Sequence, residues 1–171
     1  MGLATSTGAG IGIFQGDWEH RLAHIVTTMR EMSLHSDPQA MVRSYSKRMR
    51  ELMPSDRFFS VSRRDLDAPA FRVTRSSTWE GEVNPWRDTG KLPRFEGGLV
   101  GELLYGDEPR IIDDVAFDPD DPMAAYLEGC RSLMAVPHYD QGEALNMVVL
   151  LREQPGAFRR EEFPEWVWLV R

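Results

Sequence analysis

Gly97-Gly-Leu-Val-Gly-Glu-Leu-Leu-Tyr-Gly-Asp-Glu-Pro-Arg-Ile-Ile-Asp-Asp-Val115 changes backbone pattern twice within a short span. Leu99, Val100, Leu103 and Leu104 fall on one side of a short helix, and Gly106 stops it. Asp107-Glu-Pro109 then makes a turn, and residues 110–115 read as a strand ending in carboxylates. A second short helix follows, capped by Asp121-Pro122, running through Leu127 and stopped by Gly129. Hairpins flank these helices. Upstream, Phe59, Val61 and Arg63 alternate against Phe58, Ser60 and Ser62, while Phe71 and Val73 alternate with Arg72 and Thr74. Asp65-Leu-Asp-Ala-Pro69 supplies the turn between them. Downstream, residues 133–136 and 145–151 are continuous apolar runs around Asp140-Gln-Gly-Glu143, which predicts a second hairpin at the sheet centre with both faces covered.

Longer helices lie outside this block. Over residues 17–34, Trp18, Leu22, Ile25, Met29 and Met32 recur at a/d spacing, with Glu19, Arg21, Arg30 and Glu31 off the seam. That pattern fits a helix packed on its own domain and a helix paired with a second copy equally well. Asp37-Pro38 starts a second helix with the stripe Met41, Tyr45, Met49 and Leu52, closed at Pro54. Small residues over 1–16 predict a flexible leader. The last element covers 158–171, and its end, Trp166-Val-Trp-Leu-Val170, has neither a capping Gly nor a stopping Pro. Two Trp in a fraying turn would forgo burial worth about 25 cal/mol per Å2 of apolar surface, so the expectation is a helix that continues into a further domain. The alternative is that both rings dock on the first helices.

The chain has 171 residues, 42% of them hydrophobic and 27% charged, which suits one domain with modest extensions and excludes wholesale disorder. A net charge of -7 excludes a general nucleic-acid binder, which needs a basic face to neutralise phosphates. Cys130 is the single cysteine, so no internal disulfide or cysteine-based zinc site forms, and a reducing compartment fits. The longest apolar run, 145–151, is far short of the roughly 20 residues a membrane span needs. A cytoplasmic protein without membrane attachment is expected. Charge is segregated: residues 96–130 carry ten acidic side chains against Arg110 alone, and residues 36–80 carry nine basic against six acidic, a pattern that fits steering of a charged ligand, orientation of a partner domain and plain solvated surface equally well.

Residues 76–96 form the longest stretch without periodicity, yet hold Trp79, Trp86 and Phe95, which predicts a folded lid over a cavity, the alternative being rings that simply seal the core edge. Asp113, Asp114, Asp118, Asp120 and Asp121 are interrupted by Pro119 and Pro122 and lack calcium-loop spacing, so they read as a solvated acidic turn. No catalytic constellation emerges: His20, His24 and His35 lie in the N-terminal helical region, and His138 ends a strand with no paired nucleophile in the sequence. Gly97-Gly98 ahead of a helix is a place where an anion can bind backbone N–H groups.

In order, these segments resemble a GAF domain, a small-molecule-sensing module of signalling proteins, over roughly Asp37 to the C-terminus. The quoted stretch is similar to the family's glycine-bounded helix, turn and acidic-ended strand. Arg131-Ser-Leu-Met-Ala-Val-Pro137 resembles its penultimate core strand, and Gly156-Ala-Phe158 with Glu161-Glu162 the start of its closing helix. The resemblance implies an α+β fold: a central antiparallel sheet of five or six strands, with terminal helices on one face and short helices and loops over a pocket on the other. Residues 36–171 would be the domain and 17–34 a signalling or dimer helix. The pocket would be lined by Phe59, Val61, Phe71, Val73, Trp79, Trp86, Leu99, Leu103, Asp113, Asp114, Tyr126 and Ser132. The implied function is regulatory sensing of an unidentified small molecule without catalysis. Occupancy would pass through terminal helices, paired in a homodimer through Trp18, Leu22, Ile25, Met29 and Met32, to a downstream output domain. Rivals are a ligand-free dimerisation module whose cavity aromatics plug, and a small acyl-transferase-type enzyme. Cofactors stay unassigned. Cyclic-nucleotide binders of the family carry Asn-Lys, Phe and Asp-Glu, whereas here Met147 follows Asn146, and Glu162 and Phe163 stand at the acidic pair. Bilin binders pair a Cys with a following His, and Arg131 follows Cys130. Methionine-sulfoxide-reducing members use several cysteines.

Overall fold

The computed structural model describes residues 18–52, 55–81 and 83–169, which form two compact units divided between residues 54 and 55. The first unit is a helix pair, α1 (Trp18–Ser33) and α2 (Pro38–Leu52), packed on each other. The Asp37 carboxylate accepts the N–H groups of Gln39 and Ala40 at 3.2 Å, and Pro38 takes the first helical position, where it forfeits no hydrogen bond. Of the expected seam, Leu22 and Met29 are exposed and Ile25 and Met32 half-buried. The Trp18 side chain and the expected leader over 1–16 lie outside the described residues.

The second unit is built on one antiparallel sheet of β1 (Arg57–Ser62), β2 (Ala70–Ser76), β3 (Arg94–Glu96), β4 (Arg110–Ile112), β5 (Ser132–Asp140) and β6 (Glu143–Arg152). Their order is β3-β2-β1-β6-β5-β4, so both expected hairpins are present and their strands β1 and β6 meet at the centre. Helices α3 (Gly98–Tyr105), α4 (Ala124–Leu127) and α5 (Phe163–Leu169) complete an α+β unit. The β5–β6 turn places Gln141 and Gly142 both at positive φ, the geometry that suits a two-residue hairpin loop. Two strands differ from expectation. The strand expected over 110–115 ends at Ile112, and Val115 N–H turns aside to the Arg131 carbonyl at 2.8 Å. The aperiodic stretch 76–96 ends in β3, which pairs Phe95 with Phe71; three residues are too few to show alternation.

Side-chain alternation divides the sheet into two faces. Phe59, Val61, Phe71, Val73, Leu133, Ala135, Met147, Val149 and Leu151 join α3 and α4 in the main core. Each fully buried Phe, Leu or Val there is worth roughly 1.5–3 kcal/mol relative to exposure. Gly101 lets α3 come close to the sheet, because a Cβ there would stand 3.3 Å from the Phe71 ring. Met134, Val136 and Leu150 alternate to the other face and are also buried. Helix α5 lies against β5 and buries Trp166 edge-on to Phe158, centroids 6.0 Å apart. No described helix is long and apolar enough to cross a membrane.

Candidate functional site

The place at Gly97-Gly98 where an anion can bind is taken by a carboxylate of the chain itself. Asp121 accepts the Leu99 N–H at the start of α3 through one carboxylate oxygen, and the Met123 N–H through the other, both at 2.8 Å. It thereby satisfies an orphan donor of α3 and fastens the turn that leads into α4. Gly98 has φ 71°, and a Cβ on it would lie 2.8 Å from both carboxylate oxygens. Only glycine suits both conditions.

Eight of the twelve residues expected around a pocket gather between the sheet and these helices. Phe59, Val61, Phe71 and Val73 have at most 1% of their surface open, and Leu103 is buried beside them. Leu99, Trp79 and Tyr126 pack against the same cluster. The Trp79 Nε1–H donates to Tyr126 Oη at 3.2 Å, and the Tyr126 ring stands edge-on to Phe59 and Phe95 at 5.6 and 5.9 Å. Of the aromatic side chains that sequence places in a lid, Trp79 and Phe95 thus close on the sheet as interlocked rings with Tyr126.

The other four lie elsewhere, for identifiable reasons. Asp113 pairs with Arg160 at 2.8 Å and Asp114 with Arg131 at 3.1 Å, both on the surface. Ser132 alternates away from Leu133 and is fully buried, its hydroxyl donating to the Gln154 carbonyl at 2.7 Å. Trp86 is 67% exposed. Cys130, which sequence left without a role, donates from Sγ to the Ser132 carbonyl at 3.1 Å, and burial pushes its thiol pKa up, away from a nucleophilic thiolate. Among the described residues no group of three or more His, Cys, Asp or Glu side chains is placed to hold a metal ion.

A hollow of about 630 Å3 opens on the opposite face of β1, β2 and β6. Its floor follows from register. Arg72 stands across from Ser62, Ser62 from Asn146, and Asn146 from His138, so one polar row crosses four strands. In the next row Arg75 faces Ser60 and Ser60 faces Val148. A bulge separates the rows: Ser60 pairs with Arg75 but Val61 with Val73, leaving Thr74 as the extra residue, its hydroxyl donating to the Ser60 carbonyl at 3.2 Å. One end is bounded by Arg64 and Asp65, with Arg64 tied to Asp140 at 2.9 Å. The side wall is Pro85, Trp86, Thr89 and Leu92. Asn84 Oδ1 orders this wall by accepting the N–H groups of Trp86 and Arg87, and Arg75 lies over the Trp86 ring at 5.8 Å. Of the twelve expected residues, Trp86 alone lines the hollow. Its polar floor was visible in the sequence only as the non-apolar half of two alternating strands.

No model of a known protein family matches the sequence, and no curated protein matches it. Solved structures do. The GAF domain of a phosphoenolpyruvate-protein phosphotransferase from Coxiella burnetii superposes with a TM-score of 0.63 at 20% identity, covering 86% of each chain. The GAF domain of a two-component sensor histidine kinase from Bacillus halodurans gives 0.54 at 13% identity, over 79% of this chain and 89% of that one. A free methionine-R-sulfoxide reductase from Neisseria meningitidis, solved with its substrate, gives 0.57 at 15% identity, over 83% of this chain and 78% of that one.

Proposed function

We propose, from the premise that this chain has the GAF fold, that it is a non-catalytic regulatory module of a cytoplasmic signalling protein and answers to a small molecule held in the hollow over β1, β2 and β6. The carrying observation is that hollow: about 630 Å3 is within the usual range for a small-molecule site, and its floor is polar where the opposite face is filled with interlocked rings. The buried thiol and hydroxyl of Cys130 and Ser132 are engaged in structural hydrogen bonds, which favours binding over nucleophilic chemistry. A second copy would cover the exposed Leu22 and Met29 of α1, giving a homodimer, and a downstream output domain would read the change. Coupling energies of about 1–3 kcal/mol would alter output by roughly 5- to 150-fold.

The test is a thermal-shift screen with a metabolite panel on the wild type and on Ser60→Trp, which fills the floor of the hollow. A ligand at 100 times its dissociation constant adds about 2.7 kcal/mol of stability. Stabilisation of the wild type and not of Ser60→Trp supports the reading. Equal stabilisation of both, or of neither, removes it.

One observation favours a second reading. Phe59, Phe71, Phe95, Trp79 and Tyr126 together fill the layer between sheet and short helices, as in a module that serves dimerisation alone. That reading expects no metabolite to shift the wild type while dimerisation persists.

A further inference from the structure

We infer that the hollow over β1, β2 and β6 selects an anion, a small organic carboxylate or phosphate ester, with the Arg72 guanidinium as its anchor; this rests on the reading of the hollow as a ligand site. Arg72 is half-buried on the sheet face, and among the described residues its one side-chain hydrogen bond runs from Nη1 to the Arg64 carbonyl at 3.5 Å. Among the described residues no carboxylate pairs with it. Its cross-strand neighbour on β3 is another cation, Arg94, already tied to Glu96 at 3.0 Å. A partly desolvated guanidinium beside a like charge is unfavourable unless a counter-ion joins it.

The surroundings complete an anion-binding surface. Among the described residues, Arg64, Arg72 and Arg75 outnumber the one lining carboxylate, Asp65, in a chain whose net charge is -7. Asp140 offsets Arg64, and Arg75 is held over Trp86, so Arg72 is the cation whose planar fork remains available for two parallel N–H···O bonds. Within the same hollow, the Ser60 hydroxyl and the Asn146 carboxamide are half-buried and have no hydrogen-bond partner among the described residues. They would accept and donate to the polar body of the ligand. Trp86 offers an indole face to its apolar part. His138 ends the floor row.

Isothermal titration of the full chain with citrate, glucose 6-phosphate and glucose, together with a wider panel of mono- and dicarboxylates and sugar phosphates, tests this. At least one anion is expected to bind and glucose is not; citrate against glucose 6-phosphate tells carboxylate from phosphate. Arg72→Gln should weaken that anion by about 10- to 100-fold, and Arg72→Lys, which keeps the charge without the fork, by less. Raising the salt should weaken it further. The unliganded Arg72→Gln protein should melt no lower than wild type, since the substitution relieves an uncompensated charge; this separates lost binding from lost folding. An uncharged compound that binds the wild type and not Ser60→Trp would overturn the anion assignment while leaving the hollow as a ligand site. Failure of every compound in both panels would overturn both, and anion binding unaffected by Arg72→Gln would overturn the anchor.

Discussion

Replacing Asp121 by Ala removes one carboxylate that accepts two backbone N–H groups at 2.8 Å, on Leu99 and Met123. An N-cap residue is typically worth about 1 kcal/mol, and hydrogen bonds to a charged group about 1.5–3 kcal/mol each. Both bonds are accepted by one partly buried side chain, so the summed loss should fall near 2–4 kcal/mol rather than at the sum of the upper values. Asn at the same position keeps an acceptor and should lose about half as much. Gly98→Ala attacks the same contact from the other side, because its Cβ would stand 2.8 Å from both carboxylate oxygens in a backbone at φ 71°. Urea unfolding monitored by tryptophan fluorescence gives each value. In the Gly98→Ala, Asp121→Ala double variant the steric part of the glycine penalty disappears and only the backbone part, about 1 kcal/mol, remains. The double variant should therefore be at least 1 kcal/mol more stable than the two single losses predict. Additivity to within about 0.5 kcal/mol would refute the proximity argument.

Two further outcomes follow from the helix pair. Burial pushes the Tyr45 phenol pKa up to about 12. The unfolded chain ionises this group near its ordinary value of about 10, so above that pH the folded state holds the extra proton. Its stability contribution is complete below pH 10 and disappears as pH rises towards 12. Absorbance titration at 295 nm should show a late-ionising phenol that Tyr45→Phe removes. Leu22→Glu with Met29→Glu places charge on the exposed apolar side of α1 and should convert the proposed dimer to a monomer in light scattering, with the helical circular dichroism unchanged. A wild type that is monomeric at tens of micromolar would remove the dimer.

What the sequence disclosed and what it hid follow from length and range. Long alternating or continuous apolar runs, such as 133–136 and 145–151, identified central strands because many residues vote for one face. Helix starts were legible where a cap is local, as at Asp37-Pro38. The three residues of β3 carry too little pattern, and the Thr74 bulge depends on pairing with β1, so neither was visible. Ion pairing at Asp113 and Asp114 with Arg160 and Arg131 is likewise a long-range event. Of the aromatic side chains that sequence assigns to a lid over a cavity, Trp79 packs into the filled layer over the sheet, while Trp86 turns to the other face, where Arg75 receives it. Arg64, Arg72 and Arg75 belong to the basic segment that sequence marked as able to steer charge; the alternation against Val73 places Arg72 opposite the core, whereas Arg75 reaches that face only through the Thr74 bulge.

The most direct measurement is a crystal structure of the chain soaked with whichever anion stabilises it most. Density bridging Arg72, Ser60 and Asn146 beside Trp86 is the expected result, with the Trp79–Tyr126 hydrogen bond intact. Density between the sheet and α3, with those two rings parted and the hollow holding only solvent, would contradict it.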